Sequence, residues 1–335
     1  MTVDRSIFRP LSLLAARAMR SVLALALVSA SCFAAAQSFP ARPVRLVVPY
    51  PAGGPLDEVA RIFGQRLTEM WGQALVVENR GGAGGSLGAE VVARSAPDGY
   101  TLLIGNAGPI TVNPGLRRDL PYDPQRDLAP VTQIVAAPMV LVVHPSLPVK
   151  SVPDLVRLAR ANPGGLNYAS AGIGNLQHLA MESLQALAGI RMNHVPYKGA
   201  APAFVDLVSG RVEVMFANIV GVLPHIWSGK LRPIAVSSAR GSPALPRVPS
   251  VAATFPQFDF DGWMGIFARA GTPSEVIARL HRDFARVCEN GEIREYLAKR
   301  GAQAVAGGPQ ALARIVREET ALYAEIIRAA GITAQ

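Results

Sequence analysis

Two glycine-rich segments, far apart in the chain, carry residues suited to holding a small anion. The first segment, Pro49–Asp57, follows the apolar run 44–48, and the second segment, Tyr168–Asn175, precedes a helical pattern over 176–188. Each segment is expected to lead from a strand into a helix, where backbone N–H groups are unpaired and the helix dipole is positive. Titratable groups are almost absent from both segments. The chemistry they suggest is reversible binding of an anion between two helix starts, without its conversion.

The expected ligand contacts come mainly from the backbone of these segments. Gly53 and Gly54 allow a ligand to approach the first segment closely. Ser170 and Asn175 place short polar groups beside the glycine turn of the second segment. Asp57 falls in the first turn of its helix, where its carboxylate either meets the ligand or caps the helix.

Further candidates stand at or near the carboxyl ends of predicted strands, the edge at which open α/β sheets bind ligands. They are Asn106, Tyr197, Lys198 and Asn218. His178 follows Asn175 at the third position and faces either the ligand cleft or a packed neighbour.

The segment Gly82–Gly88 imitates two other motifs. It resembles a dinucleotide-binding loop, but Leu87 occupies the place of the third glycine. It also matches the nucleophile-elbow pattern of hydrolases around Ser86. An elbow directly follows its strand, whereas glycines separate Ser86 from a strand that ends near Asn79. An exported serine hydrolase that uses Ser86 is the alternative to a binding protein.

Metal, cofactor and nucleic-acid sites are not expected. The five histidines are scattered without the spacing of a metal site. They are His144, His178, His194, His225 and His281. The net charge of +9 is spread thinly along the chain, without runs of Lys or Arg interleaved with aromatic residues. Nucleic acid is therefore a poor partner.

Residues 1–36 read as a targeting segment. Four arginines precede the short apolar core 21–33, and Ala34–Ala36 supplies small residues for cleavage. We expect export, with cleavage near residue 36. Cys32 lacks the aliphatic residue that usually precedes a lipidated cysteine, so no lipid anchor is expected. Cys288 is then the remaining cysteine, and its helical context suggests a buried apolar side chain.

Short apolar runs alternate with amphipathic stretches along the chain, which predicts an α/β protein with mainly parallel sheets. The predicted strands are 44–50, 74–79, 101–106, 139–144, 166–170, 193–198, 212–218 and 231–237. The predicted helices are 56–71, 87–95, 152–161, 176–188, 200–209, 220–228, 274–289, 293–300 and 309–330. An apolar stripe on the last helix is expected to pack onto the first lobe. Its members are Leu312, Ile315, Val316, Leu322, Ile326 and Ile327.

Two apolar passages, Leu128–Val143 and Phe258–Ala268, are predicted to cross between lobes. Two crossings imply that the first lobe is discontinuous. We predict lobe 1 from residues 37–137 plus 261–335 and lobe 2 from residues 138–260. About 299 residues after the targeting segment agree with two lobes, since one hydrophobic core rarely grows that large.

The chain resembles the substrate-binding proteins of tripartite tricarboxylate transporters, often called Bug-type receptors, over nearly all of its length after residue 36. The motifs that carry the resemblance are Arg42–Gly54, Val77–Arg80, Gly82–Gly85, Ala96–Leu103, Tyr168–Gly172, His178–Ala180, His194–Gly199 and Ser242–Pro246. The resemblance implies a type II periplasmic binding protein fold. That fold has two lobes, two mainly parallel sheets flanked by helices, and a ligand cleft between the lobes.

The resemblance also implies a function. Receptors of this kind are monomers in the periplasm, are not enzymes, and deliver a small organic acid to inner-membrane transporter subunits. A ligand carboxylate would be held by the two segments, mainly through backbone groups and water. The implied positions are Tyr50, Ala52, Gly53, Gly54, Asp57, Ser170, Ala171, Gly172, Gly174 and Asn175. A sensor that reports the acid to a signalling partner is a further alternative.

Three departures from the family pattern leave the identity of the acid open. Asn175 stands where the family more often has Thr or Ser, Ala217 where Asp is common, and Pro55 where a small residue is usual. A di- or tricarboxylate, an amino acid and an aromatic acid all remain possible ligands. An amino group would favour contact with Asp57.

Overall fold

The computed structural model describes residues 39–333. The helices and strands given below lie in one compact unit that begins at Arg42. The predicted targeting segment 1–36, with Cys32 and the cleavage site, lies outside the described residues, so export without a lipid anchor stays a prediction. Within the described residues, no helix combines the length and apolar character that a membrane span requires.

Ten strands of the described chain form a single sheet. The strands are β1 (Val44–Val48), β2 (Leu75–Asn79), β3 (Thr101–Gly105), β4 (Leu128–Val143), β5 (Asn167–Ser170), β6 (Asn193–Pro196), β7 (Val214–Asn218), β8 (Arg232–Val236), β9 (Asp261–Arg269) and β10 (Gln303–Gly307). Their hydrogen-bonded order is β2-β1-β3-β9-β4-β7-β5-β6, and β8 and β10 also pair with β4.

The sheet has two halves. In the first half, β1 pairs in parallel with β2 and β3, and β9 and β10 complete this half. In the second half, β5 pairs in parallel with β6 and β7, and β8 completes it. The parallel strands are connected by helices, because a hairpin cannot join parallel neighbours. The inner strands β1, β3 and β7 are largely buried, as apolar strands covered on both faces are, whereas most residues of the edge strands β2 and β6 are partly buried or exposed.

Strand β4 belongs to both halves. It pairs antiparallel with β9 from Leu128 to Pro138 and with β7 from Met139 to Val143. The expected mainly parallel sheets therefore describe the outer strands of each half, and the strands along β4 and β9 are antiparallel. The two passages predicted as crossings contain β4 and most of β9. The lobe limits 37–137 plus 261–335 and 138–260 stay a prediction.

The helices flank this sheet and mostly agree with the predicted ranges. They are α1 (Pro55–Trp71), α2 (Ser86–Ala93), α3 (Asn113–Leu116), α4 (Pro124–Asp127), α5 (Val152–Ala161), α6 (Leu176–Ala188), α7 (Ala200–Val208), α8 (Ile219–Trp227), α9 (Ser274–Glu289), α10 (Gly291–Lys299) and α11 (Pro309–Ala329). A π-helical turn at Gly108–Val112 precedes α3, and a single 3₁₀ turn at Ala83–Gly85 precedes α2. These two turns, the short helices α3 and α4, and strand β10 were not predicted.

The last helix, α11, packs against β4, β10 and the π-helical turn. Its buried face consists of Leu312, Val316, Tyr323 and Ile327, which follow one side of a helix. The prediction that Leu322 belongs to the buried stripe was wrong, since 48% of it is exposed. Tyr323 takes that place, because it stands one helix turn before Ile327.

Candidate functional site

A cavity of about 60 Å³ lies where the starts of α1 and α6 meet the ends of several strands. It is lined by Tyr50, Gly54, Pro55, Leu56, Asp57, Asn106, Ala107, Met139, Ala171, Asn175, Leu176, Gln177, Ala200, Asn218, Gly262 and Trp263. Both glycine-rich segments thus contribute to one cavity. This agrees with the expectation that the two helix starts face the same space. The lining contains no Lys, Arg or His. An anion here would be held by N–H groups, amides and helix dipoles.

The first segment ends in a carboxylate that is already fully engaged. Asp57 Oδ2 accepts from the Gly53 N–H at 2.9 Å and from Arg61 Nε at 3.0 Å, and Oδ1 accepts from Asn79 Nδ2 at 3.0 Å. Burial raises the pKa of Asp57, but the hydrogen bonds from Arg61, Gly53 and Asn79 outweigh burial and bring the pKa below its ordinary value. Asp57 therefore holds the turn before α1, and the Gly53 N–H points to this carboxylate.

The second segment is held by neutral groups. Asn175 Oδ1 accepts from the His178 N–H at 2.9 Å and so caps α6. Gln177 Oε1 accepts from the Ala171 N–H at 2.8 Å. A ligand oxygen that binds the Ala171 N–H would have to displace this amide. The sequence analysis did not single out Gln177, although its place in the first turn of α6 was a usable signal.

Beside the second segment, three rings stack on one another. The rings of His194 and Tyr168 lie 4.7 Å apart, and those of His178 and His194 lie 4.3 Å apart, measured between centroids. Ser170 Oγ lies 2.7 Å from His194 Nε2, which directs Ser170 toward the stack. Burial lowers the pKa of His178 to about 4, and burial with the neighbouring His178 lowers the pKa of His194 to about 3. Both histidines are neutral at pH 7.

The rest of the cavity lining is mainly apolar. It includes the amides of Asn106 and Asn218 and the indole of Trp263. Asn218 Oδ1 accepts from the Val220 N–H at 3.1 Å and so caps α8. The indole N–H of Trp263 donates to both carboxylate oxygens of Glu319, at 3.0 and 2.9 Å. Burial raises the pKa of Glu319 to about 7. Trp263 was missed as a lining residue, although it lies in the predicted crossing passage Phe258–Ala268.

A second cavity of about 440 Å³ adjoins the first, and Tyr50 and Ala171 line both. The Tyr50 hydroxyl lies 3.2 Å from the Gly84 carbonyl oxygen and 3.2 Å from Asn106 Oδ1. Burial raises the pKa of Tyr50 far above its ordinary value. Tyr197 faces the second cavity, and its hydroxyl donates to Asp206 at 2.7 Å.

The predicted site residues divide between the first cavity and its surroundings. Those that line it are Tyr50, Gly54, Asp57, Asn106, Ala171, Asn175 and Asn218. Gly172, Tyr197 and Lys198 line the second cavity, and His178 lines a separate one beside residues 330–333. Ala52 and Gly53 are exposed, and Ser170 and Gly174 are buried residues of the second segment that do not line the cavity. That these residues bind a ligand stays a prediction.

Ser86, the residue of the hydrolase alternative, has a structural environment. It is 3% exposed and begins α2, which a 3₁₀ turn separates from β2. Asn113 Nδ2 donates to Ser86 Oγ at 2.7 Å. In the hydrogen bonds of the described residues, Ser86 has no histidine partner. This arrangement gives no support to a serine nucleophile.

The shared strand, the two flanked sheet halves and the cavity at two helix starts define the class of two-lobed periplasmic solute-binding proteins. Solved proteins of this class have the same fold. The chain belongs to the family described as tripartite tricarboxylate transporter family receptor, whose model matches residues 59–332. The resemblance inferred from the motifs is thereby confirmed.

Individual relatives extend this assignment over most of the chain. Protein BugT of Bordetella pertussis is 36% identical over 298 residues, which cover 88% of this chain and 91% of BugT. A solved R. palustris protein with adipate is 37% identical, with a TM-score of 0.85, and the match covers 88% of this chain and 99% of that one. MatC from Rhodopseudomonas palustris, solved with malate, is 32% identical, with a TM-score of 0.83 and coverage of 86% and 100%.

Proposed function

We propose that this receptor captures a small organic acid in the periplasm and delivers it to its inner-membrane transporter. The observation that carries the proposal is the meeting of two helix starts, at Pro55 and Leu176, in one cavity without cationic side chains. Such a cavity suits an anion that must be bound and released, because hydrogen bonds and dipoles hold it without a buried ion pair. The relatives solved with adipate and malate support a carboxylate as the anion.

The hydrogen bonds of Asp57 narrow the class of acid. The acceptor oxygens of Asp57 are used by Gly53, Arg61 and Asn79, so this carboxylate is a weak partner for an ammonium group. We therefore favour an acid without an amino group.

Capture would require the two lobes to move. We propose that they hinge where β4 changes partner, between Pro138 and Met139, and at the start of β9. Charge-assisted hydrogen bonds contribute about 1.5–3 kcal/mol each. A few of them, less the cost of ordering, correspond to a dissociation constant on the order of micromolar.

Calorimetry tests the proposal with the chain from residue 37 onward. The panel of acids is adipate, malate, benzoate, glutamate and citrate, and adipamide serves as the uncharged control for adipate. We expect micromolar binding of at least one acid without an amino group and none of adipamide. Binding of no acid in the panel would overturn the proposal, and so would measurable binding of adipamide that is as tight as that of adipate. Hydrolysis of generic esters that is lost in Ser86→Ala would instead favour the hydrolase alternative.

A further inference from the structure

The glycine turn Gly82–Gly85 has no role in the site as described so far. It connects β2 to α2, and every residue in it has a positive φ, from 49° at Ala83 to 136° at Gly82. Ala83 is the one residue other than glycine with a positive φ in the described chain. Glycine adopts a positive φ without steric cost, so the strain in this turn lies at Ala83. A strained residue of this kind persists where the surrounding structure holds it in place.

The backbone of this turn touches the second segment directly. A Cβ atom added to Gly84 would stand 2.2 Å from the carbonyl oxygen of Ile173. A Cβ atom added to Gly172 would stand 3.5 Å from the Cα and N atoms of Gly84. A side chain at Gly84 would overlap the Ile173 carbonyl group, whereas one at Gly172 would reach Gly84 at ordinary van der Waals distance, so the two loops pack backbone against backbone at Gly84. The contact joins the first half of the sheet, which carries the glycine turn, to the second half, which carries Ile173.

The same glycine turn also touches the first segment. The Tyr50 hydroxyl lies 3.2 Å from the Gly84 carbonyl oxygen, and a Cβ atom added to Gly85 would stand 3.1 Å from that hydroxyl. Tyr50 lines the cavity. Gly84 therefore contacts one residue of the first segment and the backbone of the second.

A second contact connects the same parts of the molecule. Asn113 Nδ2 donates to Ser86 Oγ at 2.7 Å and lies 3.4 Å from the Ala83 carbonyl oxygen. Asn113 therefore contacts both the glycine turn and the residue that follows it. A Cβ atom added to Gly174 would stand 1.8 Å from Asn113 Oδ1. Asn113 is fully buried, and its Oδ1 has no hydrogen-bond partner within the described residues.

We propose that the glycine turn Gly82–Gly85 is a third element of the binding site, in which Gly84 positions Tyr50 and the Ala171–Gly174 loop against each other. This inference rests on the proposed function, since it concerns how the two segments meet around an acid. Gly84 is a positioning residue, because it acts on the lining of the cavity and does not itself line the first cavity. A side chain at Gly84 would keep the two halves apart without disturbing the fold of either.

Gly72 provides a matched control for Gly84. Both have a φ of 64°, so alanine causes the same backbone strain at either position, but nothing lies within 4 Å of an added Cβ at Gly72. Calorimetry with adipate, or with the panel acid that the wild type binds more tightly, measures the effect. We expect similar losses of melting temperature in G84A and G72A. Only G84A should bind the acid at least about tenfold more weakly.

Gly174 and Gly241 form a second matched pair, which covers the case that G84A does not fold. Their φ angles are 80° and 76°, and nothing lies within 4 Å of an added Cβ at Gly241. We expect G174A, but not G241A, to weaken binding. Small-angle X-ray scattering in saturating acid adds a readout that a merely structural role would not move: the radius of gyration should be larger for G84A or G174A than for the controls.

The outcomes separate this inference from the proposed function. A wild type that binds no acid overturns both. A wild type that binds an acid, together with folded G84A and G174A proteins that bind it equally tightly and become equally compact, overturns the glycine turn as a site element and leaves the proposed function standing. Weak binding by these variants alone supports the inference.

Discussion

The two helix starts at the cavity differ in charge. The start of α1 carries Asp57 and Glu58 in its first turn, and Asp57 accepts from the Gly53 N–H. The start of α6 has no acidic residue in its first turn, and neutral Asn175 and Gln177 occupy the equivalent acceptor roles. A carboxylate offsets the positive end of a helix dipole. The difference suggests that an anionic ligand gains most of its binding free energy at α6, while α1 mainly shapes the cavity.

The largest effect is expected from placing a carboxylate at the start of α6. In Q177E the new carboxylate would accept from the Ala171 N–H, as the Gln177 amide does now at 2.8 Å. It would compete with the ligand and repel it, so we expect at least about hundredfold weaker binding of the acid. Calorimetry measures the change.

The control for this variant is Q310E. Gln310 is exposed and occupies the same second position of a helix, in α11, far from the cavity lining. It should bind the acid as the wild type does. Equal binding by Q177E and Q310E would contradict the assignment of the anion to α6.

The two neutral histidines, His178 in α6 and His194 stacked on it, should make stability depend on pH. Their folded-state pKa values of about 4 and about 3 lie below the ordinary value of 6.5. The unfolded chain therefore binds more protons, and stability that is complete above pH 6.5 is lost as the pH falls toward these values. Each histidine should contribute a slope of about 1.4 kcal/mol per pH unit to the free energy of unfolding. Urea unfolding between pH 7 and 4 measures this slope.

H178F tests the origin of that slope, because phenylalanine keeps an aromatic ring in the stack and cannot titrate. We expect the slope to fall by about half, since one of the two histidines remains. An unchanged slope would show that the stack is not its source. H144F, at a partly exposed residue outside the stack, serves as the control.

Removing the carboxylate at α1 should affect stability more than binding. In D57N the charge-assisted hydrogen bonds from Gly53 and Arg61 are weakened, and we expect a loss of about 1–3 kcal/mol in the free energy of unfolding. Because its folded-state pKa is lowered, Asp57 stabilises the fold above its ordinary pKa of 3.8, and this stability is lost as the pH falls further. The gap between wild type and variant in urea unfolding should therefore narrow in acid.

The affinity of D57N for the acid separates two roles of Asp57. A capping carboxylate leaves the affinity within about threefold of the wild type. A much larger loss of affinity, with melting temperature little changed, would mean that Asp57 contacts the ligand and that the contrast between the two helix starts is wrong.

The smallest effect is expected for S170A. Ser170 Oγ is hydrogen-bonded to His194 and accepts from the Gly172 N–H, and Ser170 does not line the cavity. We expect a loss of about 1 kcal/mol in stability and almost unchanged affinity. A strong loss of affinity would place Ser170 in direct contact with the acid.

Much of the fold could be predicted because its signals are local. The apolar run Val44–Val48 followed by Gly53, Gly54 and Pro55 specifies a buried strand and a helix start, and both occur there. By contrast, β10 at Gln303–Gly307 is short and pairs antiparallel with β4. Because it is only partly buried, its sequence lacks the alternation of apolar and polar residues that would predict a strand. The π-helical turn Gly108–Val112 likewise has no periodic pattern.

The site was less predictable because the direction of side chains depends on tertiary contacts. The helix starts could be found from glycine and capping residues, but not that Asp57 would take the Gly53 N–H or that Ser170 would face His194. Trp263 reaches the cavity from a strand more than 200 residues after Tyr50 in the chain. No local pattern near either residue encodes that approach.

Strand β4 has a consequence for how the protein unfolds. Its residues Leu128–Pro138 are held by β9, and Met139–Val143 by β7 and β8. Neither half can lose its sheet without freeing part of a strand on which the other half depends. The two halves should therefore melt in one cooperative transition, and amide protons in the middle of β4 should exchange only through global opening.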